Sequence, residues 1–429
     1  MSGRVRQLVS QSMLNRPFVK QVSVLAGGTA FSQLLLVAAS PVLTRLYTPE
    51  QFGVLSVYVA LLSIFTVIGS LQYEQAIPIV PDKKGVSNLI ALCALILGTV
   101  CLLLMLGTVF FAGTISRMTD TPVLAGCLWL LPFSLLGGGL YQILNGWAVR
   151  EKQFGELAKT KLSQSFGMMS VQIGGGLFQF GNWGLLFGDA IGRVSGSARL
   201  IKAIKRQQGF SRTDITFSGL GEMAKRYMKF PLMSTWSSGL NQLGLHLPAF
   251  MLAVFYGPSA VGWYALAQRV IGIPFQVIGS SVGEVYLAEA AKISREKGER
   301  LHTLFWKTVK HMTVLAFPIA LCLFLAAPWA FRLVFGQDWG PSGDFLRILS
   351  VMFFFQFITS PVAGTLQITE RQDLHLIREV IRVVLLAGAL LLANWTGRSA
   401  FTAIVYISIG GSIGYLVHGF ISWYATRTF

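Results

Sequence analysis

Apolar and polar positions in this chain alternate on the scale of whole helices. Stretches long enough to span a bilayer, about 20 residues each, fall at 21–44, 54–80, 86–112, 122–146, 162–180, 184–203, 230–255, 261–287, 304–334, 344–368, 379–395 and 400–425. That pattern predicts twelve transmembrane helices. Every second gap between them is basic: Lys83 and Lys84; Arg150, Lys152, Lys159 and Lys161; the longest, Arg199 to Lys229; Lys292 to Lys310; and Arg371, Arg378 and Arg382. The alternate gaps are short, such as Gly181-Asn182-Trp183 and Gly257-Pro258-Ser259-Ala260, and hold three basic residues, Arg45, Arg117 and Arg398. Of the 35 Lys and Arg residues, 28 lie at the termini or in the basic gaps, which marks those gaps and both termini as cytoplasmic. The other four, Arg193, Arg269, Arg332 and Arg347, fall inside apolar stretches or at their ends.

Two shorter features refine this picture. Residues 149–161 place Phe154, Leu157 and Ala158 on one face among charges, the pattern of an interfacial helix or of a solvated connection. Residues 288–303 read as a charged extension of the eighth helix. Comparing the halves shows a repeat: Tyr47, Pro49 and Gly53 recur as Tyr256, Pro258 and Gly262, 209 residues later. Val67-Ile68-Gly69-Ser70 recurs as Val277-Ile278-Gly279-Ser280, displaced by 210. An even number of crossings per half gives both the same orientation. The expected fold is therefore all-α and integral to the membrane, with two six-helix lobes related by a pseudo-two-fold axis along the membrane normal. The expected divisions are a cytoplasmic segment 1–20, an N-lobe 21–210 and a C-lobe 211–429.

Composition excludes several classes. At 53% hydrophobic and 12% charged, the chain departs from soluble proteins, in which about 25% is charged. The net charge of +17 follows the crossing pattern, so it fits anionic lipid headgroups, at about 1 kcal/mol per basic residue, and not nucleic acid. Cys93, Cys101, Cys127 and Cys322 all lie in apolar stretches without metal-ligand spacing. The first apolar run, about 24 residues behind Arg4, Arg6, Arg16 and Lys20, is too long for a cleaved signal and is expected to stay as the first crossing. No phosphate-binding loop and no His or Cys cluster is present, so neither a cofactor nor a metal is expected. With the largest inside gap at about 30 residues, no loop is large enough for a separate catalytic module.

The run Leu43-Thr44-Arg45-Leu46-Tyr47-Thr48-Pro49-Glu50-Gln51-Phe52-Gly53 resembles the signature that ends the first helix of bacterial oligosaccharide flippases. These belong to the multidrug/oligosaccharidyl-lipid/polysaccharide exporter superfamily. The rest of the chain resembles that family in crossing number, loop sizes and repeat. The resemblance implies a non-enzymatic transporter in the bacterial inner membrane that flips undecaprenyl-pyrophosphate-linked oligosaccharide for cell-surface polysaccharide such as O-antigen. Membrane lipids, a polysaccharide polymerase and a chain-length regulator are the partners this implies. The alternatives are a multidrug or cation antiporter of the same superfamily, an integral-membrane enzyme acting on prenyl-linked glycan, and a non-transporting scaffold.

Ionisable groups at bilayer depth cost roughly 2.5–3.5 kcal/mol on insertion scales, so they face protein or water. Arg269 lies about eight residues into the eighth stretch, roughly 12 Å deep, with no acid three or four positions away. Its face carries Gly272, Gln276, Ser280 and Glu284. A guanidinium presents a donor fork that matches phosphate oxygens. Arg269 is therefore the expected pyrophosphate contact, helped by Gln268 and Gln276; an interhelical ion pair or a snorkelling side chain is the other reading. Arg193 follows Asp189 at i, i+4, the favourable order for a self-neutralised pair, and a substrate or proton role is the other reading. Arg45 is a further substrate contact or a boundary anchor, and Arg332 and Arg347 are rim anchors near Asp338 and Asp344. Polar stripes on the first helix (Thr29, Gln33, Ser40, Thr44) and the seventh (Ser234, Ser238, Asn241, Gln242, His246) mark a water-filled cavity or tight helix packing. Glu74, Asp189 and Glu284 are the candidate ion-coupling carboxylates.

Overall fold

The computed structural model describes residues 16–118, 122–207, 210–274, 278–295, 301–369, 371–397 and 399–427. Every regular element among them is helical. Eight helical stretches are long and apolar enough to cross a membrane: Val24–Leu46, Pro49–Ile68, Lys83–Met118, Val123–Arg150, Phe230–Gly272, Leu301–Phe335, Gln337–Ile368 and Ala400–Arg427. Lys83–Met118 turns Leu102, Leu103, Val109, Phe110 and Phe111 outward with more than half of each side chain exposed. Water would penalise such an apolar face, whereas lipid accommodates it. The chain is a multi-pass, all-helical membrane protein.

Helix ends follow local chemistry. Arg16–Ala38 (α1) and Ser40–Leu46 (α2) are separated at Ala39, one turn into the influence of Pro41, which has no N–H to close onto the preceding turn. Pro49–Ile68 (α3) opens with a capping box: the Gln51 amide donates to Thr48 Oγ1 at 3.3 Å, and Gln51 Oε1 accepts from the Thr48 amide at 3.0 Å. Tyr47, 4% exposed, donates its hydroxyl to the Gln172 carbonyl at 2.6 Å. That bond pins the end of α2 to the helix Phe154–Leu177, and Gly175 of that helix with Gly184 of Asn182–Ser195 leaves room for the phenol.

Three expectations are corrected. The second stretch does not run helical to 80: α3 ends at Ile68, Leu71 and Gln72 take left-handed backbone (φ 51° and 60°), and a 3-10 turn covers Tyr73–Ile79. Residues 149–161 are not a separate interfacial helix. Arg150 ends Leu131–Arg150, Lys152 (φ 53°) reverses the chain, and Phe154 already begins the next long helix. Arg378 and Arg382 are not loop residues, because they lie inside the helix Gln372–Trp395. The extension at 288–303 is helical through Arg295; residues 296–300 lie outside the described segments.

The repeat places its two copies face to face. Gly257 (φ 79°, ψ 172°) breaks Thr235–Pro274 where the sequence puts a short gap. A Cβ on Gly53 would sit 1.8 Å from the Pro258 carbonyl oxygen, and a Cβ on Gly262 would sit 1.8 Å from that of Pro49. Only glycine permits this reciprocal approach of backbones. Trp339, 1% exposed, donates Nε1 to the Thr44 carbonyl at 3.0 Å and meets Phe52 edge-on at 5.0 Å between centroids. Residues of the two halves thus interlock at the end of the bundle that carries both motif copies.

Candidate functional site

Arg269 stands at this seam. Its Nη2 donates to the Leu36 carbonyl at 2.9 Å, so a helix of the second half reaches α1 of the first. The same carbonyl accepts from Ser40 Oγ at 3.1 Å, next to the break at Ala39. Arg269 is half-buried, and among the described residues no carboxylate pairs with it. The interhelical ion pair considered from sequence is therefore not what holds it. Gln33, also half-buried, lies one turn from Leu36 on α1. Gln276 lies outside the described residues.

Gln268 does not join Arg269. Its Nε2 donates to Tyr264 Oη at 2.5 Å on the other side of the helix, a consequence of the 100° step between neighbouring residues. Asp189 and Arg193 form the expected pair, Arg193 Nε to Asp189 Oδ2 at 2.7 Å and Nη2 to Oδ1 at 3.2 Å. The carboxylate is 7% exposed and the guanidinium 28%. Tyr58 donates to Ser134 Oγ at 2.6 Å close by, and His246, half-buried, lies within electrostatic reach of Arg193. Arg193 belongs to the first half of the chain and His246 to the second.

The remaining candidates are dispersed. Arg45 is exposed. Asn241 is exposed and accepts from Arg382, while Gln242 is half-buried beside it. Glu74 is 8% exposed and accepts from Ser70 Oγ at 2.5 Å, on the 3-10 turn and not on a crossing helix. Glu284 is exposed. Arg332 reaches Asp344 at 3.7 Å, and Arg347 lies 4.7 Å from the Phe324 ring centre. Among the described residues no group of His, Cys, Asp or Glu is arranged to hold a metal.

Sequence reasoning missed a charged cluster on Gln372–Trp395. Glu379, 6% exposed, takes Arg378 Nη2 on Oε1 at 2.5 Å and Arg382 Nη2 near Oε2 at 2.7 Å. Arg378 also donates to His418 Nε2 at 3.1 Å and His375 Nε2 at 3.0 Å. The spacing of His375, Arg378, Glu379 and Arg382 puts them on one helical face. Starting the eleventh stretch at 379 hid that signal by assigning its first turns to a loop.

Residues 42–344 match the family model described as polysaccharide biosynthesis protein. The chain belongs to the polysaccharide biosynthesis protein family. The resemblance carried by residues 43–53 is borne out at that level. The succinoglycan biosynthesis transport protein ExoT of Rhizobium meliloti (strain 1021) is 26% identical over 319 residues, 72% of this chain and 61% of that protein. The match thus spans about three fifths of the relative's length. Among solved structures, an inward-facing multidrug resistance MATE family transporter superposes with a TM-score of 0.73 at 17% identity, covering 92% of this chain and 96% of that one. The lipid II flippase MurJ in an inward closed conformation gives 0.73 at 16% identity, covering 92% and 86%. At such identities the two show that this chain shares its fold with those transporters.

Proposed function

We propose that this polysaccharide biosynthesis protein is a transporter that flips a prenyl-pyrophosphate-linked oligosaccharide, of the undecaprenyl class, from the cytoplasmic to the periplasmic leaflet. The observation that carries the reading is Arg269: a permanent charge, half-buried between the halves, with one backbone carbonyl as its described partner. A buried cation without a counter-charge is poised for an anionic ligand, and a guanidinium suits a diphosphate. The name of the ExoT relative, a transport protein, supports the same reading over an enzyme.

The proposal includes twelve crossings in two six-helix lobes, both termini in the cytoplasm, and alternating access between the lobes. The reciprocal contacts of Gly53 with Pro258 and Gly262 with Pro49 support a two-fold relation of the halves. In this scheme those contacts lie at the periplasmic end, so the headgroup enters from the cytoplasmic side. The prenyl tail stays in lipid throughout. Arg193 and His246 line the path from opposite lobes, and Gln33 lies one turn from the Arg269 partner on the first helix. Of the carboxylates proposed for ion coupling, Glu74 is buried and accepts from the Ser70 hydroxyl, and among the described residues no basic group pairs with it.

Arg269→Ala, at unchanged membrane abundance, is expected to reduce surface glycan at least tenfold and to leave lipid-linked precursor on the cytoplasmic side. Export at the native level would remove Arg269 from the mechanism.

A further inference from the structure

The cluster on Gln372–Trp395 has a charge surplus. Arg378 donates to both imidazoles through Nε2, and a guanidinium has no acceptor, so each imidazole nitrogen there is unprotonated. Two guanidiniums then share the single Glu379 carboxylate, and among the described residues no other acid pairs with them. The surplus resides on Arg382. Its Nη2 bonds Asn241 Oδ1 at 3.1 Å and touches Glu379 Oε2 off the hydrogen-bond axis, while its Nε is buried without a partner.

This guanidinium forms part of the wall of a cavity of about 90 Å³ inside the second half, with room for several waters. Tyr264, Gln268, Gln356 and Tyr415 supply the other polar groups. Gly244 completes the wall: a Cβ there would lie 2.7 Å from Arg382 Nη2, so the glycine makes the seat in which the guanidinium rests. Asn241, which is exposed, stands beside Arg382 and one turn from Ser238, whose hydroxyl donates to Gln72 Oε1 of the first half at 3.3 Å.

We propose that this cavity is a second anion site, separate from Arg269, in which Arg382 receives an oxyanion: a carboxylate on the transported glycan or a free inorganic anion. The inference rests on the transport reading only for the first of these sources. It extends that reading from the diphosphate to the acidity of the sugar.

The test uses the full chain in nanodiscs, with binding followed by thermophoresis. The probes are inorganic phosphate and two prenyl-pyrophosphate trisaccharides that differ only in a terminal glucuronate or glucose. On the native protein the glucuronate form is expected to bind about tenfold tighter. Arg382→Gln should abolish that difference and leave the glucose form unchanged, whereas Arg269→Gln should weaken both equally. Loss of charge at 382 leaves a balanced Arg378–Glu379 pair, so this variant is expected to fold and to melt at a higher temperature than the native apo-protein. Glu379→Gln, with two guanidiniums left, should melt lower. Phosphate binding that depends on Arg382, without discrimination between the glycans, would assign the site to a free anion. If neither prenyl glycan binds but Arg382-dependent phosphate binding persists, the transport reading fails and the anion site stands. Equal affinities for both glycans together with phosphate binding indifferent to Arg382→Gln would overturn the proposal.

Discussion

Two arginines in this chain sit at membrane depth under opposite conditions, and their neighbours decide what each can do. Arg193 is neutralised on its own helix by Asp189 through two hydrogen bonds. Removing one partner of a buried pair costs about 3–5 kcal/mol when both are fully enclosed. Since the Arg193 side chain is 28% exposed, Asp189→Asn is expected to cost about 2 kcal/mol. That loss should appear as a lower melting temperature in detergent, and the double variant Asp189→Asn/Arg193→Gln should recover most of it. If the double variant melts normally and still exports glycan, the pair is structural; if it melts normally without export, Arg193 also handles substrate. Arg269 lacks such a partner among the described residues, so its replacement should disturb transport more than folding. The sequence distinguishes the two arginines by spacing alone: an acid four residues upstream in one case and none in the other.

At the scale of single elements, Pro41 is the controlling residue of the first helix. Its missing amide interrupts α1 and α2 at Ala39, and the Leu36 carbonyl just before the break serves both Ser40 and Arg269. Pro41→Ala should restore a continuous helix, its new amide donating to the Val37 carbonyl, and draw the neighbouring Leu36 carbonyl towards the helix axis and away from Arg269. We expect export to fall several-fold with little change in membrane abundance, as read by surface glycan against protein level. Most crossings were legible from the apolar stretches, because about 20 apolar residues admit few other fates. What escaped was how stretches end. The left-handed backbone at Leu71, Gln72 and Lys152 has no glycine to announce it, so the apolar pattern carries the second stretch too far and leaves 149–161 open between an interfacial helix and a connection. The buried face of Gln372–Trp395 escaped for a related reason: basic residues in its first turns read as loop, although inside the fold Glu379 pairs with both arginines and the two imidazoles accept from Arg378. The site was legible in part. Spacing singled out Arg269, but no spacing could show that adjacent Gln268 serves a different cavity or that Trp339 would meet Thr44 across the seam.

For the whole molecule, the contact between the motif copies sets how the halves can move. Each glycine lies against the other copy's proline carbonyl, so any side chain at either position forces the backbones apart. Gly262→Val is expected to hold the halves open at that end. In a background lacking the four native cysteines, Phe52→Cys, which replaces a side chain only 3% exposed, should resist a membrane-impermeant maleimide. Adding Gly262→Val should make it react at least tenfold faster; unchanged labelling would mean that the seam does not govern access. Among the described residues every ion pair joins partners within the same half, and at the motif copies the bridges across the seam include a carbonyl hydrogen bond, a ring contact and close-packed backbone. Such a closure is electrically quiet apart from Arg269. Added electrolyte, which screens charge over about 10 Å at 0.1 M, has little there to weaken. Bilayer thickness and lateral tension, which act on helix tilt and on van der Waals fit, are then the environmental levers that shift how often the two halves part.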